Sequence, residues 1–486
     1  MREHVPIQEL TEKKLRLDFA KLDRAFNPRC IAIVGDSKRN DFQWLRGESE
    51  FKGRLYSVQV NPETNEEIKA LGIDSYPSLV DIPDSIDLVI VTAPRAAAHM
   101  ILEQCICKDV AAAHFFTAGF SETDTEEGIK LEQMLVERAK ESNFLLIGPN
   151  CRGIFNPKIG LKQIGDQYSG ISGPVGFISQ SGTHAMNFSW QAHFEGVDIN
   201  KSVSFGNGLV LDSADYLEYF GQDPEIKIVA LYLEGVRDGR RFFKVLKEVA
   251  ARKPVVVWKG GQTEDGERAT ASHTGSLAVS QTIWDTAMTQ CGVIRISSLE
   301  EMIDTLKALI YLPPVRGDKV AVAGGTGGES VVIADVFGRA GLRMPLLTQA
   351  SYDELATFFS LIGGSYRNPL DTDAGPNRRE LARIMEILER DANIDNLLLL
   401  TRPGSRFHNI KQVEEDIFSL VNIRKKTSKP VMAILSYSSP EEMAEARDIA
   451  QRLQSEGIPA FSSIERTAIA LKNALDYYNF KNIINV

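Results

Sequence analysis

Apolar residues in this chain gather in short continuous runs, separated by longer segments in which apolar and charged residues mix. A run of four to six mostly β-branched or apolar residues ending in glycine or small polar residues predicts a strand buried on both faces, and the amphipathic segments between such runs predict helices. The first third of the chain gives strands over 30–34, 55–60, 88–92, 112–117 and 144–147. After a connector at 156–170, a second series covers 175–179, 201–204, 228–233, 255–258 and 293–296. The segment Tyr311-Leu312-Pro313-Pro314-Val315-Arg316-Gly317-Asp318 stops a helix and marks a further boundary. Strands over 320–323, 397–401, 431–435 and 460–463 follow it. Regular alternation of this kind predicts an α/β fold with doubly wound parallel sheets.

Each series opens with a strand, a loop rich in glycine or serine, and a helix. The loops are Gly35-Asp36-Ser37, Gln180-Ser181-Gly182-Thr183 and Gly324-Gly325-Thr326-Gly327-Gly328. In open α/β sheets such loops lie at the carboxyl ends of strands, where free N–H groups at the next helix start favour phosphate. A tight turn explains any one of them equally well; three in equivalent places favour phosphate handling. The nicotinamide fingerprint is absent, because strand one lacks GxGxxG and strand two ends in Asn61-Pro62 rather than an acid. Lys38 and Arg39 supply positive charge in the first loop, and Arg95 reads as a solvated cation.

Composition narrows the class. Fifty-five basic against 65 acidic residues leave a net charge of −10 over 486 residues, with no basic stripe for nucleic acid. Five cysteines without a CxxC pair predict reduced thiols in a cytoplasmic protein and no metal site. The first 23 residues are charged and helical in pattern without an apolar core, and no apolar stretch is long enough to span a membrane, so neither secretion nor insertion is expected.

One histidine stands apart. His273 lies in Ala269-Thr270-Ala271-Ser272-His273-Thr274-Gly275-Ser276-Leu277-Ala278, a run of small and polar residues that predicts an open loop. A neutral imidazole there is nucleophilic near pH 7 and can take up and pass on a group. A solvated loop or cap histidine accounts for this motif equally well.

Taken in order, several motifs resemble the nucleoside-diphosphate-forming (NDP-forming) acyl-CoA synthetases, the superfamily that includes the α-subunits of ADP-forming acetyl-CoA synthetase and succinyl-CoA synthetase. They are Val60-Asn61-Pro62, Ala118-Gly119-Phe120-Ser121-Glu122, Gly148-Pro149-Asn150-Cys151-Arg152-Gly153, Ile178-Ser179-Gln180-Ser181-Gly182, Ser204-Phe205-Gly206-Asn207, Tyr232-Leu233-Glu234-Gly235-Val236-Arg237-Asp238-Gly239-Arg240 and the His273 run. The resemblance implies an N-terminal helix and Rossmann-like CoA-binding domain over 1–155 and two flavodoxin-like, succinyl-CoA synthetase-like ligase domains over 170–312 and 316–486. It implies an acid–thiol ligase: acid, CoA and ATP give acyl-CoA, ADP and phosphate reversibly, through an acyl phosphate and phosphorylated His273. It further implies that Glu234 orients that imidazole and that Ser181, Gly182 and Thr183 bind its phosphate. The same resemblance implies that Gly35, Asp36, Ser37, Lys38, Asn61 and Pro62 lie near CoA, Asn150 and Cys151 near its thiol end and Asn207 by the substrate, with Cys151 expected in a packing or contact role.

Three departures accompany the resemblance. Asp36 puts a negative charge where CoA phosphate is expected, Val279 replaces a glycine closing the histidine motif, and the Gly324 loop lacks an asparagine before its glycines. No segment resembles the ATP-grasp domains of the superfamily, so the resemblance implies a separate ATP-grasp β-subunit holding ATP or ADP with Mg²⁺, in a hetero-oligomer or homo-oligomer. The alternative is a CoA-binding regulatory or scaffolding homologue without phosphoryl transfer.

Overall fold

The computed structural model describes residues 17–61, 64–274, 281–362, 364–372, 376–403 and 410–484. It divides into two compact units: one comprises 1–190, 198–249 and 259–285, the other 191–197, 250–258 and 286–486.

In the first unit the chain enters through the helix Phe19–Phe26, whose start is capped by Asp18 Oδ1, accepting from the amides of Ala20 and Lys21 at 3.0 and 3.1 Å. Strands β1 (Cys30–Val34), β2 (Arg54–Val58), β3 (Asp74–Tyr76), β4 (Leu88–Val91), β5 (Ala112–Phe115) and β6 (Leu145–Ile147) form a sheet in the order β3-β2-β1-β4-β5-β6. Every pairing in it is parallel. The order reverses between β1 and β4, so the loops leaving those two strands diverge to opposite faces and open a crevice. Gly35 occupies that place with φ +86°, and a Cβ on it would meet Ala93, just past β4, at 2.7 Å. Only glycine allows both the backbone angle and the approach.

Strands β7 (Gly153–Phe155), β8 (Val175–Ser179), β9 (Ile199–Ser204) and β10 (Ile228–Leu233) run in the order β10-β8-β9-β7. β8 pairs parallel to both neighbours, and β7 joins β9 antiparallel. A second reversal therefore falls at β8, between the loops that leave β8 and β10.

In the second unit residues Val256, Val257 and Trp258 of β11 (Val255–Lys259) pair parallel with β12 (Ile294–Ile296). β13 (Val320–Ala323), β14 (Asn396–Thr401), β15 (Val431–Leu435) and β16 (Ala460–Phe461) form a separate parallel sheet in sequential order. Its core is aliphatic, with Leu397, Leu399, Val431 and Ala433 fully buried. Among the described residues no helix is long and apolar enough to cross a membrane.

Two local expectations change. The run leading to His273, read as a loop, is the end of an α-helix, Glu264–Thr274. Glu264, Asp265 and Glu267 in its first turn complement the helix dipole, and Ala269 and Ala271 favour the helical backbone. The short strands β3 and β7 were not read from sequence at all.

Candidate functional site

The reversal at β8 is where separately read motifs converge. Gln180, immediately after β8, accepts at Oε1 from the amides of Glu234 at 2.8 Å and Gly235 at 3.0 Å, just beyond β10. Its own amide donates to the Tyr232 carbonyl at 3.0 Å. One side chain thus ties the two loops that diverge there. Ser181 follows, and its Oγ accepts from the His184 amide at 3.3 Å, capping the helix Gly182–Phe194.

A cavity of about 190 Å³ opens at that helix start. Asn150, Cys151, Ser181, Gly182, Thr183 and Asn207 all line it, although they come from three separate motifs. Asn150 Nδ2 is 3.5 Å from Asn207 Oδ1, and Asn207 Nδ2 donates to Glu122 Oε2 at 2.8 Å. The other Glu122 oxygen accepts from the amides of Gly119 and Phe120. Burial raises the Glu122 pKa, but these amides and Asn207 outweigh it and hold the carboxyl below its usual range. The turn before Asn207 needs glycine: Gly206 has φ +51°, and a Cβ there would come within 2.2 Å of the Asn150 carbonyl oxygen.

Cys151 is buried, and desolvation pushes its thiol up to about 12, which disfavours the thiolate at neutral pH. Behind it His114 is buried with Nε2 2.9 Å from the Cys151 carbonyl oxygen; burial lowers its pKa to about 4 and keeps the ring neutral.

Glu234 is buried at 9% exposure, with Tyr232 Oη 3.4 Å from its Oε1. Lys259 Nζ donates to the Glu234 carbonyl oxygen at 2.7 Å and also to that of Gly260. Burial lowers the Lys259 pKa against the pull of Glu234 and Glu267. The His184 ring lies 4.2 Å from that of Tyr232, and burial lowers its pKa while Glu234 opposes the shift. His184, Lys259 and Gln180 were given no role from sequence; Gln180 stood inside a quoted motif, and no spacing rule marks it as a tether. The His273 backbone belongs to the helix Glu264–Thr274, whereas its side chain and residues 275–280, including Val279, lie outside the described residues.

The first-sheet loop does not line this cavity. Asp36, expected to set a negative charge beside a phosphate, is buried with its carboxylate turned inward. Oδ1 accepts from the Ser37 amide at 3.0 Å, and Oδ2 from the amides of Trp44 and Leu45 at 3.0 and 2.9 Å. Burial raises its pKa and those bonds oppose the shift, so the carboxylate folds the loop rather than facing a ligand. Lys38 is exposed and ion-paired with Glu67, and Arg95 pairs with Glu127 at 2.7 Å. Asn61 is exposed, and its carbonyl oxygen accepts from Thr64 Oγ1 at 2.8 Å; Pro62 lies outside the described residues. Among the described residues no cluster of potential metal ligands occurs.

Two family descriptions match: a CoA binding domain over residues 29–157 and a succinyl-CoA ligase like flavodoxin domain over 172–309. The α-subunit of ADP-forming acetate–CoA ligase II of Pyrococcus furiosus is 34% identical over 92% of this chain and 96% of its own length. This chain belongs to the NDP-forming acyl-CoA synthetase family. An ADP-forming acetate–CoA ligase of Archaeoglobus fulgidus is 33% identical over 93% of this chain, which spans 63% of that longer relative. Among solved structures, a dinucleotide-forming acetyl-coenzyme A synthetase of Candidatus Korarchaeum cryptofilum, in complex with phosphate and ADP, superposes with a TM-score of 0.82 at 29% identity, covering 96% of this chain and 98% of its own. Within this family the two matched regions carry the sheet that ends at Gly35 and the sheet that ends at Gln180 and Glu234.

Proposed function

We propose that this chain is the α-subunit of a cytoplasmic acyl-CoA synthetase that works with a separate ATP-grasp β-subunit, interconverting acid, CoA and ATP with acyl-CoA, ADP and phosphate. The observation that carries this reading is the convergence of Asn150, Cys151, Asn207 and the Ser181-Gly182-Thr183 helix start on one cavity, with Glu234 tethered beside it through Gln180. Family membership supports it along nearly the whole chain. The reading divides the chain into three domains, 1–155, 170–312 and 316–486, boundaries that differ from those of the two compact units.

In this account phosphate attacks the thioester carbonyl of acyl-CoA and CoA thiolate leaves, giving an acyl phosphate. A neutral His273 nitrogen then attacks phosphorus; the bond from phosphorus to the carboxylate oxygen breaks and the free acid departs. The imidazolium formed by that attack is stabilised by Glu234, as a carboxylate stabilises a histidine in other nucleophilic sites. Backbone N–H groups of Gly182 and Thr183 and the dipole of their helix offset the phosphoryl charge. The phosphoryl group passes to ADP, which the β-subunit would hold together with Mg²⁺ to offset the nucleotide charge. The Gly35–Lys38 loop and Asn61-Pro62 hold CoA at the crevice between β1 and β4, the Asn150–Cys151 turn meets the thiol end, and Asn207 contacts the substrate.

Reconstitution tests the reading. The chain mixed with an ATP-grasp partner, CoA, ATP and a panel of acids is expected to form acyl-CoA and ADP in equal amounts, and neither protein alone to do so. CoA binding without turnover with any acid or partner would replace it with a binding role.

A further inference from the structure

Asn207 lines the cavity at only 5% exposure, and its backbone is clamped on both sides. Its amide donates to the Pro149 carbonyl oxygen at 3.1 Å, and its own carbonyl oxygen accepts from Arg237 Nη2 at 2.9 Å. Those bonds fix where the side chain starts but not which way its carboxamide faces. Glu122 sets that. Its Oε1 accepts from the amides of Gly119 and Phe120 at 2.6 and 3.1 Å, and its Oε2 accepts from Asn207 Nδ2 at 2.8 Å. An ionised carboxylate can only accept, so Asn207 turns its NH2 group to Glu122 and its oxygen away.

The effect passes on to Asn150. Asn207 Oδ1 faces Asn150 Nδ2 at 3.5 Å, which engages the NH2 end of Asn150 and leaves its Oδ1 for the cavity. The cavity therefore carries two chemistries. Backbone N–H groups at the Gly182 helix start suit a phosphate, whereas the oxygens of the two asparagines accept hydrogen bonds and disfavour one.

CoA matches the asparagine oxygens at one end only. Its phosphates are acceptors, whereas its pantetheine arm presents two amide N–H groups and a thiol, all donors. Resting on the ligase reading above, we propose that Glu122 is a positioning residue that holds the Asn207 and Asn150 oxygens toward the pantetheine arm of CoA. An amide N–H of the arm is received there, and the thiol is thereby fixed beside the helix start that holds the phosphate.

Glu122→Gln inverts this pattern while sparing the turn around it. The glutamine oxygen still takes the Gly119 and Phe120 amides, but its NH2 group faces Asn207, which turns over and presents a donor where an oxygen stood. Calorimetry on the chain compares CoA with adenosine 3′,5′-bisphosphate, which lacks the arm. Glu122→Gln is expected to weaken CoA about 10-fold, as one hydrogen bond becomes a donor–donor contact, and to leave adenosine 3′,5′-bisphosphate within about twofold. Adding Asn207→Asp to Glu122→Gln is expected to recover most of the CoA affinity, because a carboxylate at position 207 accepts from the glutamine and again offers an oxygen. Equal weakening of both ligands, unchanged CoA affinity, or a double variant no better than Glu122→Gln overturns the proposal. A wild-type chain that binds no CoA overturns it as well. Absence of turnover with every acid removes the ligase reading alone, because these binding comparisons need no turnover and still decide the role of Glu122.

Discussion

Gln180 Oε1 accepts the Glu234 amide at 2.8 Å, joining the residue after β8 to the residue after β10 where the strand order reverses. Replacing it by leucine leaves the buried amides of Glu234 and Gly235 without an acceptor, at a cost of about 1–3 kcal/mol. Urea denaturation of Gln180→Leu is expected to read that loss, and phosphoryl transfer is expected to fall further than stability requires because Glu234 is no longer fixed. A variant with unchanged stability would place the tether elsewhere.

Asp36 gives a second test. Its carboxylate accepts three backbone amides of the loop from Ser37 to Leu45, so Asp36→Ala is expected to destabilise the first unit and weaken CoA binding together. If Asp36 instead repelled a phosphate, the same substitution would tighten CoA binding. Calorimetric titration with CoA separates the two.

Glu48 offers a pH dependence of known sign. It is fully buried, burial raises its pKa well above 4.5, and the amide of Lys162, at 3.2 Å from both its oxygens, only partly offsets that. A carboxyl group raised on folding contributes stability that is fully present below its unfolded value and is lost as pH rises through the folded one. Glu48→Gln does not titrate, so its stability relative to the wild-type protein is expected to climb above pH 4.5, by up to about 1.4 kcal/mol per pH unit. Urea midpoints at pH 5, 6 and 7 check this; a difference that does not change with pH would contradict it.

The thiols differ in accessibility in a way that alkylation can read. Cys107 is exposed, whereas Cys30, Cys105, Cys151 and Cys291 are buried. Iodoacetamide at pH 8 followed by peptide mapping is expected to label Cys107 quickly and Cys151 only on unfolding. Rapid labelling of Cys151 in the folded protein would reopen a nucleophilic role for it.

The strands Cys30–Val34, Val175–Ser179, Ile228–Leu233, Val320–Ala323 and Val431–Leu435 were legible to the residue, because strands buried on both faces carry an unbroken apolar signal. Asp74–Tyr76 was not, since a three-residue edge strand of Asp, Ser and Tyr has neither alternation nor an apolar run. The helix ending at Thr274 was hidden by its hydroxyl residues, which resemble a loop when the acidic first turn is overlooked. The cavity-lining residues Asn150, Ser181 and Asn207 were visible one motif at a time, but their meeting depends on strand order, which no local pattern encodes. The inward turn of Asp36 likewise depends on the chain doubling back to bring the Trp44 and Leu45 amides to it. Glu122 stood inside a quoted motif, and its significance comes from Asn207, which is distant from it in sequence.

The central claim, that His273 carries a phosphoryl group guided by Glu234, is tested most directly by incubating the chain and its ATP-grasp partner with γ-labelled ATP and mapping the label. The account expects acid-labile, base-stable label on His273, absent in His273→Ala and strongly reduced in Glu234→Gln. Label that persists in His273→Ala, or that maps to another residue, would contradict it.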